Sequence, residues 1–172
     1  SGGNYEQPRL LGVSGRDGDA VAVRESTKVR EAYFLDYAAA IRKVATMPMM
    51  VTGGFRTRAG MEAALASGDT DLIGLARPFC THPDVARRLL AREIDELPAY
   101  ERSLHLRPRG WLSPASPWLL PKMVNVLGAQ GWYYQQMDRL ADGRAPDLGR
   151  GMLRSFARYW WNDLGKAARL TR

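Results

Sequence analysis

One cysteine, Cys80, is present in the 172 residues. A single thiol cannot form an internal disulfide, and it makes a cysteine-based metal site a poor expectation. Histidine is nearly as scarce: His82 and His105 are the two in the chain. They lie apart in sequence, which favours a capping role for the first and a surface role for the second over catalysis or metal binding. Long apolar runs are lacking too. None approaches the roughly twenty residues that cross a bilayer, and the opening residues show no signal-peptide pattern. The expectation is a cytoplasmic chain with no membrane partner and no metal.

Acidic residues are in deficit, 18 against 25 lysines and arginines, for a net charge of +7. The arginines are spread along the chain rather than gathered into one basic stripe. Such a balance reports solubility and non-specific attraction, not a specific nucleic-acid site. Hydrophobic residues at 45% and charged ones at 25% are those of a folded globular chain. The length falls short of the roughly 250 residues of a complete eight-stranded α/β barrel, so any barrel reading must be a partial one.

Residues 1–30 hold glycine, proline and mixed charge with little periodicity, as in a long loop that covers a site or awaits a partner. The abrupt Ser-Gly-Gly opening carries the expectation that something precedes it. From Glu31 to Ala45, Tyr33, Phe34, Tyr37, Ala38, Ile41 and Val44 recur at helical spacing, and Pro48 follows as a stop. "PMMVT" (48–52) lacks alternation, as expected of a parallel strand buried on both faces. Gly53 and Gly54 close it. A second helix is expected from Thr57 to Ser67, with Met61, Ala64 and Leu65 inward and Gly68 as its stop. "DLIGLA" (71–76) reads as a second buried strand. Thr81-His82-Pro83-Asp84 then matches a capping-box pattern for a helix running to about Glu93.

Helix, strand, helix, strand, helix implies parallel strands joined by right-handed crossovers, with their carboxyl ends on one edge. Glycine at a strand end lets a ligand approach the main chain. Two glycines before a helix start offer N–H donors to an anion. Arg77, one strand over, adds a guanidinium fork suited to phosphate oxygens. The alternative at this point is a tight Gly-Gly turn, with Arg77 paired to a surface carboxylate.

The run "MPMMVTGGFRTRAGMEAALASGDTDLIGLARPF" resembles the last two βα units of the Old Yellow Enzyme family, FMN-dependent NAD(P)H:flavin oxidoreductases. "SGGNYEQP" resembles the end of that family's sixth strand and its loop, and "REAYFLDYAAAIRK" its sixth helix. The likeness covers residues 1–95 and, weakly, the Trp/Tyr-rich tail. It implies an α/β fold, the carboxyl-terminal part of a TIM (β/α)8 barrel at about strands six to eight. Residues 1–97 would form the barrel units, and residues 98–172 a proline-rich segment and helical extension. By position, Gly53 and Gly54 would offer amides to the FMN phosphate, Ala76 its main chain and Arg77 its side chain. Phe55 would lie near the flavin's dimethylbenzene edge, and Tyr5 in a loop bordering the substrate. The resemblance further implies NAD(P)H as reductant and an activated alkene as substrate.

The family's paired substrate-binding His-His or His-Asn residues and its tyrosine proton donor lie on earlier strands, which have no counterpart here. No catalytic residue is therefore assigned, and the implied partner is a missing amino-terminal half of the barrel or a second copy. A non-catalytic phosphate- or nucleotide-binding α/β module is the rival reading. Three further features read as structural. Asp69 and Asp71 are expected to be solvated beside a turn. "GWYYQQM" (131–137) suits helix packing better than base stacking. Met152, Leu153, Phe156, Tyr159, Trp160 and Leu164 form a stripe expected to pack in a core, with membrane-surface binding as the alternative.

Overall fold

The computed structural model describes residue 35 and residues 37–170. These fall into two compact units that divide between Ala99 and Tyr100. The expected beginning of the first helix, including Tyr33 and Phe34, lies outside the described residues.

In the first unit, a helix α1 covers residues 37–42. It is followed by β1 (Met50–Thr52), α2 (Arg58–Ala66), β2 (Leu72–Gly74), a 3-10 turn (Arg77–Cys80) and α3 (Val85–Leu90). The two strands pair in parallel, with Met50 opposite Leu72, Val51 opposite Ile73 and Thr52 opposite Gly74. The expected side-by-side strand ends are therefore present. Gly74 is required by this pairing, because a Cβ there would lie 2.0 Å from Thr52 Oγ1 and 2.8 Å from its Cβ.

Thr57 begins α2 as expected: its hydroxyl accepts from the Gly60 N–H (3.1 Å), and Gly68 ends the helix at φ +77°. Met61 and Ala64 join Ala38, Val51, Phe55, Val85, Leu89 and Leu97 in the core. Leu65, expected inward, is exposed. The strands also depart from expectation. Only Val51 of β1 is buried, while Met50 (63% exposed) and Leu72 (56%) face outward. Among the described residues the sheet has two strands, too narrow to be covered on both faces. Tyr37, Ile41 and Val44 of the first helical segment are exposed as well.

The expected capping box is not formed. The helix begins at Val85 with Asp84 at its cap position and no side-chain cap bond, while Thr81, three residues earlier, is buried with its hydroxyl donating to Pro78 O (3.0 Å). That helix ends at Leu90 rather than Glu93, because Arg92 turns the chain at φ +59°.

The second unit opens with a 3-10 turn (Tyr100–Arg102), then irregular chain to Trp118, then α4 (Leu119–Ala141) and α5 (Met152–Leu170). Asn125 fastens the irregular segment to α4. It donates to Leu112 O (3.0 Å) and Pro121 O (2.8 Å) and accepts from the Leu106 N–H (2.8 Å). The segment between the helices folds back along α4, where Gln136 exchanges two hydrogen bonds with the Asp147 main chain. α5 then starts beside Gly128 and runs in the same sense as α4. A Cβ on Gly128 would meet Met152, and one on Gly131 would meet Ser155 O and Tyr159.

"GWYYQQM" belongs to this packing. Trp132 is fully buried with Leu104 and Met152, and Gln135 donates to Ser155 O (2.9 Å). The α5 stripe divides, however: Met152 is buried and Phe156 and Tyr159 half-buried, but Leu153, Trp160 and Leu164 are exposed.

Candidate phosphate-binding site

The carboxyl ends of β1 and β2 bring together Gly53, Gly54, Ala76 and Arg77. Both glycines have positive φ, +100° and +84°, in the left-handed region where a side chain is strained. A Cβ on Gly53 would meet no heavy atom within 4 Å, so there is open space above the strand end. The Gly53 N–H is committed to the ladder, donating to Gly74 O at 3.3 Å. The Gly54 and Ala76 amides have no main-chain acceptor among the described residues. Ala76 is exposed, and Arg77 is half-buried at the first position of the 3-10 turn.

The start of α2 is less open than its sequence suggests. The Arg58 N–H donates to Asp95 O (2.8 Å) and the Leu97 N–H to Arg56 O (2.8 Å), while Thr57 bridges to Glu96. The Arg58 guanidinium also grips the Asp95 carboxylate, with Nε at 3.0 Å. Residues 95–97 thus close over the helix start, and with Gly60 already donating to Thr57, two of its first-turn donors are spent. The donors that remain near an anion come from the strand ends. No sequence motif marks residues 95–97 as a clasp.

Phe55 is 2% exposed and packs in the core of the unit, behind the strand end rather than at its surface. Asp71 is not merely solvated. It accepts from the Met49 N–H (2.7 Å) and from both terminal nitrogens of Arg42 (2.8 and 3.1 Å). The Met49 amide, and after it the Arg42 guanidinium, hold its carboxyl below the ordinary carboxylate value. Burial pushes the Cys80 thiol up, only partly opposed by its own amide and by Arg77 nearby, so it is not an activated nucleophile. His82 Nδ1 lies 3.0 Å from Thr81 Oγ1, and His105 belongs to the other unit. Tyr5 lies outside the described residues. Among them, no group of three His, Cys, Asp or Glu side chains could hold a metal.

Over 146 residues the chain is 35% identical to the NADH-dependent flavin oxidoreductase iccE of Talaromyces variabilis, a match covering 82% of this chain and 33% of that protein. The chain is a relative of the NADH-dependent flavin oxidoreductases. Over 84 residues it is 42% identical to the similarly named iliE of Neonectria sp. (strain DH2), covering 48% of this chain and 11% of the relative. Over 69 residues it is 42% identical to nadA of Aspergillus parasiticus, also named an NADH-dependent flavin oxidoreductase, covering 40% and 15%. The chain therefore spans a third or less of the length of these relatives. No family model and no solved structure matches it. This kinship is consistent with the Old Yellow Enzyme resemblance of residues 1–95.

Proposed function

We propose that this chain forms the cofactor-phosphate-binding part of an FMN-dependent oxidoreductase of the ene-reductase type, built on the carboxyl-terminal units of a TIM barrel. The observation that carries the reading is the pair of parallel strand ends, where two positive-φ glycines on one strand stand beside Arg77 after the next. A phosphate fits there for three reasons. The space at Gly53 is open, the Gly54 and Ala76 amides can donate without breaking the ladder, and Arg77 supplies the charge. Phe55 supports this edge from the core. The chemistry the flavin supplies when bound is acceptance of hydride from NAD(P)H and its transfer to an activated alkene. The names of the relatives favour NADH as the reductant.

In protein reconstituted with FMN, Arg77→Ala is expected to weaken binding by about 1.5–3 kcal/mol, roughly ten- to a hundredfold. Arg77→Lys should recover part of it, since lysine keeps the charge but not the planar fork. Gly54→Val should be at least as damaging, because a branched side chain is strained at that φ and obstructs the amide. The measurement is FMN titration by flavin fluorescence, with melts of the apo form as a folding control. Arg77→Ala that binds FMN like the parent while the apo melt falls would make Arg77 a structural residue and end the phosphate assignment. Tight FMN binding without NADH oxidation would favour the non-catalytic module.

A further inference from the structure

The face that α5 turns outward is more apolar than packing on α4 explains. Leu153, Ala157, Trp160, Trp161 and Leu164 are all exposed, with Trp161 at 78%, and at 3.6 residues per turn they fall on one stripe. The residues that pack on α4, Met152, Ser155, Phe156 and Tyr159, occupy a different side. Helix α5 thus has two apolar faces, one used within the unit and one facing out. Arg154 and Arg158, both exposed, border the outward stripe. Asp163 is the one acidic residue of the α5 sequence. By helical periodicity it flanks the stripe beside Trp160, on the side away from the two arginines, near enough to Tyr159 to help raise its phenol pKa, after burial. The sequence continues with Lys166, Arg169 and Arg172.

We infer that the outward stripe of α5 is a contact for an anionic lipid surface, with the helix lying in the plane of the interface. Charge selects this occupant. A second copy packed antiparallel, stripe to stripe, would bring the Arg154 and Arg158 borders together, with Asp163 away on the other flank. An anionic surface neutralises them. The stripe is convex and one helix wide, as suits a flat boundary. Adjacent indoles at Trp160 and Trp161 favour the headgroup level, where an apolar ring and a polar N–H are both accommodated. No helix among the described residues is long and apolar enough to cross a membrane, so the mode is surface contact. This inference does not rest on the flavin reading.

The test uses the 172-residue chain, co-sedimented with phosphatidylcholine vesicles with and without phosphatidylserine. Binding is expected to require phosphatidylserine, to fall as salt rises, and to shift tryptophan emission to the blue. Trp161→Ala should weaken it about tenfold. Arg154→Glu with Arg158→Glu should weaken it tenfold or more, since each basic residue near such a surface is worth about fivefold. Leu164→Gln is a second apolar variant, and far-UV spectra check that α5 still forms. Three results would overturn the inference: no binding, equal binding to both lipids, or binding that the arginine reversals leave unchanged. An acidic protein as the true partner would appear as the first of these.

Discussion

Thr70 is buried beside the two strands, where its hydroxyl accepts from the Val51 N–H (3.2 Å) and faces Leu72 O (2.9 Å) and Met49 O (3.1 Å). One side chain therefore joins both strands, adding an acceptor for the Val51 donor and a donor for the strand carbonyls. Thr70→Val keeps the shape and deletes the hydroxyl, removing the hydrogen bonds it both accepts and donates at a buried point between the strands. It is expected to cost about 1–3 kcal/mol in urea unfolding, with Thr70→Ser retaining most of the stability. Equal stability of parent and Thr70→Val would show that the hydroxyl is not the lock. The contrast with Gly53 and Gly54 shows what is legible at this scale. A Gly-Gly pair after an apolar run announces a backbone requirement, and positive φ meets it. Thr70 stands in "GDTD", which reads as a polar turn, and its burial depends on a strand twenty residues away. The burial of Phe55 in the core is hidden for a related reason: a family position gives nearness to a cofactor but not what a ring packs against.

At the scale of elements, the α4–α5 contact depends on main chains in close approach. A Cβ on Gly131 would lie 2.6 Å from Tyr159 Cβ and 3.0 Å from Ser155 O, atoms that no rotamer change can remove. Gly131→Ala should therefore destabilise the second unit by about 1–3 kcal/mol, although alanine favours a helix over glycine by about 1 kcal/mol. Gly128→Ala should be milder, because its nearest neighbour is the flexible end of Met152 at 3.0 Å. Denaturation followed by near-UV circular dichroism, which reports the Tyr134–Tyr159 stack, measures both. A more stable Gly131→Ala would show that the helices have room to spare. Helices with strong periodicity were legible in advance, and Thr57 and Gly68 marked the ends of α2. The capping box failed because the helix starts at Val85, which puts Asp84 and not Thr81 at the cap position, a boundary that spacing alone does not reveal. The α5 stripe was legible as apolar but not as two faces, since a helical pattern does not say which neighbour each side meets.

At the scale of the molecule, the first unit exposes surface that parallel sheets ordinarily cover. Met50 and Leu72 sit side by side in the register and both face outward, while Tyr37, Ile41, Val44 and Met47 add exposed apolar surface in the same unit. Strands of the parallel kind are normally buried on both faces and flanked by further strands. The 172-residue chain should therefore self-associate through this unit, giving a dimer or larger species in sedimentation velocity. Met50→Lys with Leu72→Lys changes two side chains that already face solvent, so the core of Val51, Phe55, Met61 and Val85 stays intact. Those lysines should shift the distribution toward monomer by desolvation cost and like-charge repulsion, without lowering the thermal transition of the remaining fold. The α5 variants serve as a control: Trp161→Ala should leave the association unchanged if the sheet surface drives it. A parent chain that sediments as a monomer and melts cooperatively would show that two strands suffice here. The exposed residues would then be ordinary surface, and the case for further barrel strands beside β1 and β2 would lose its physical support.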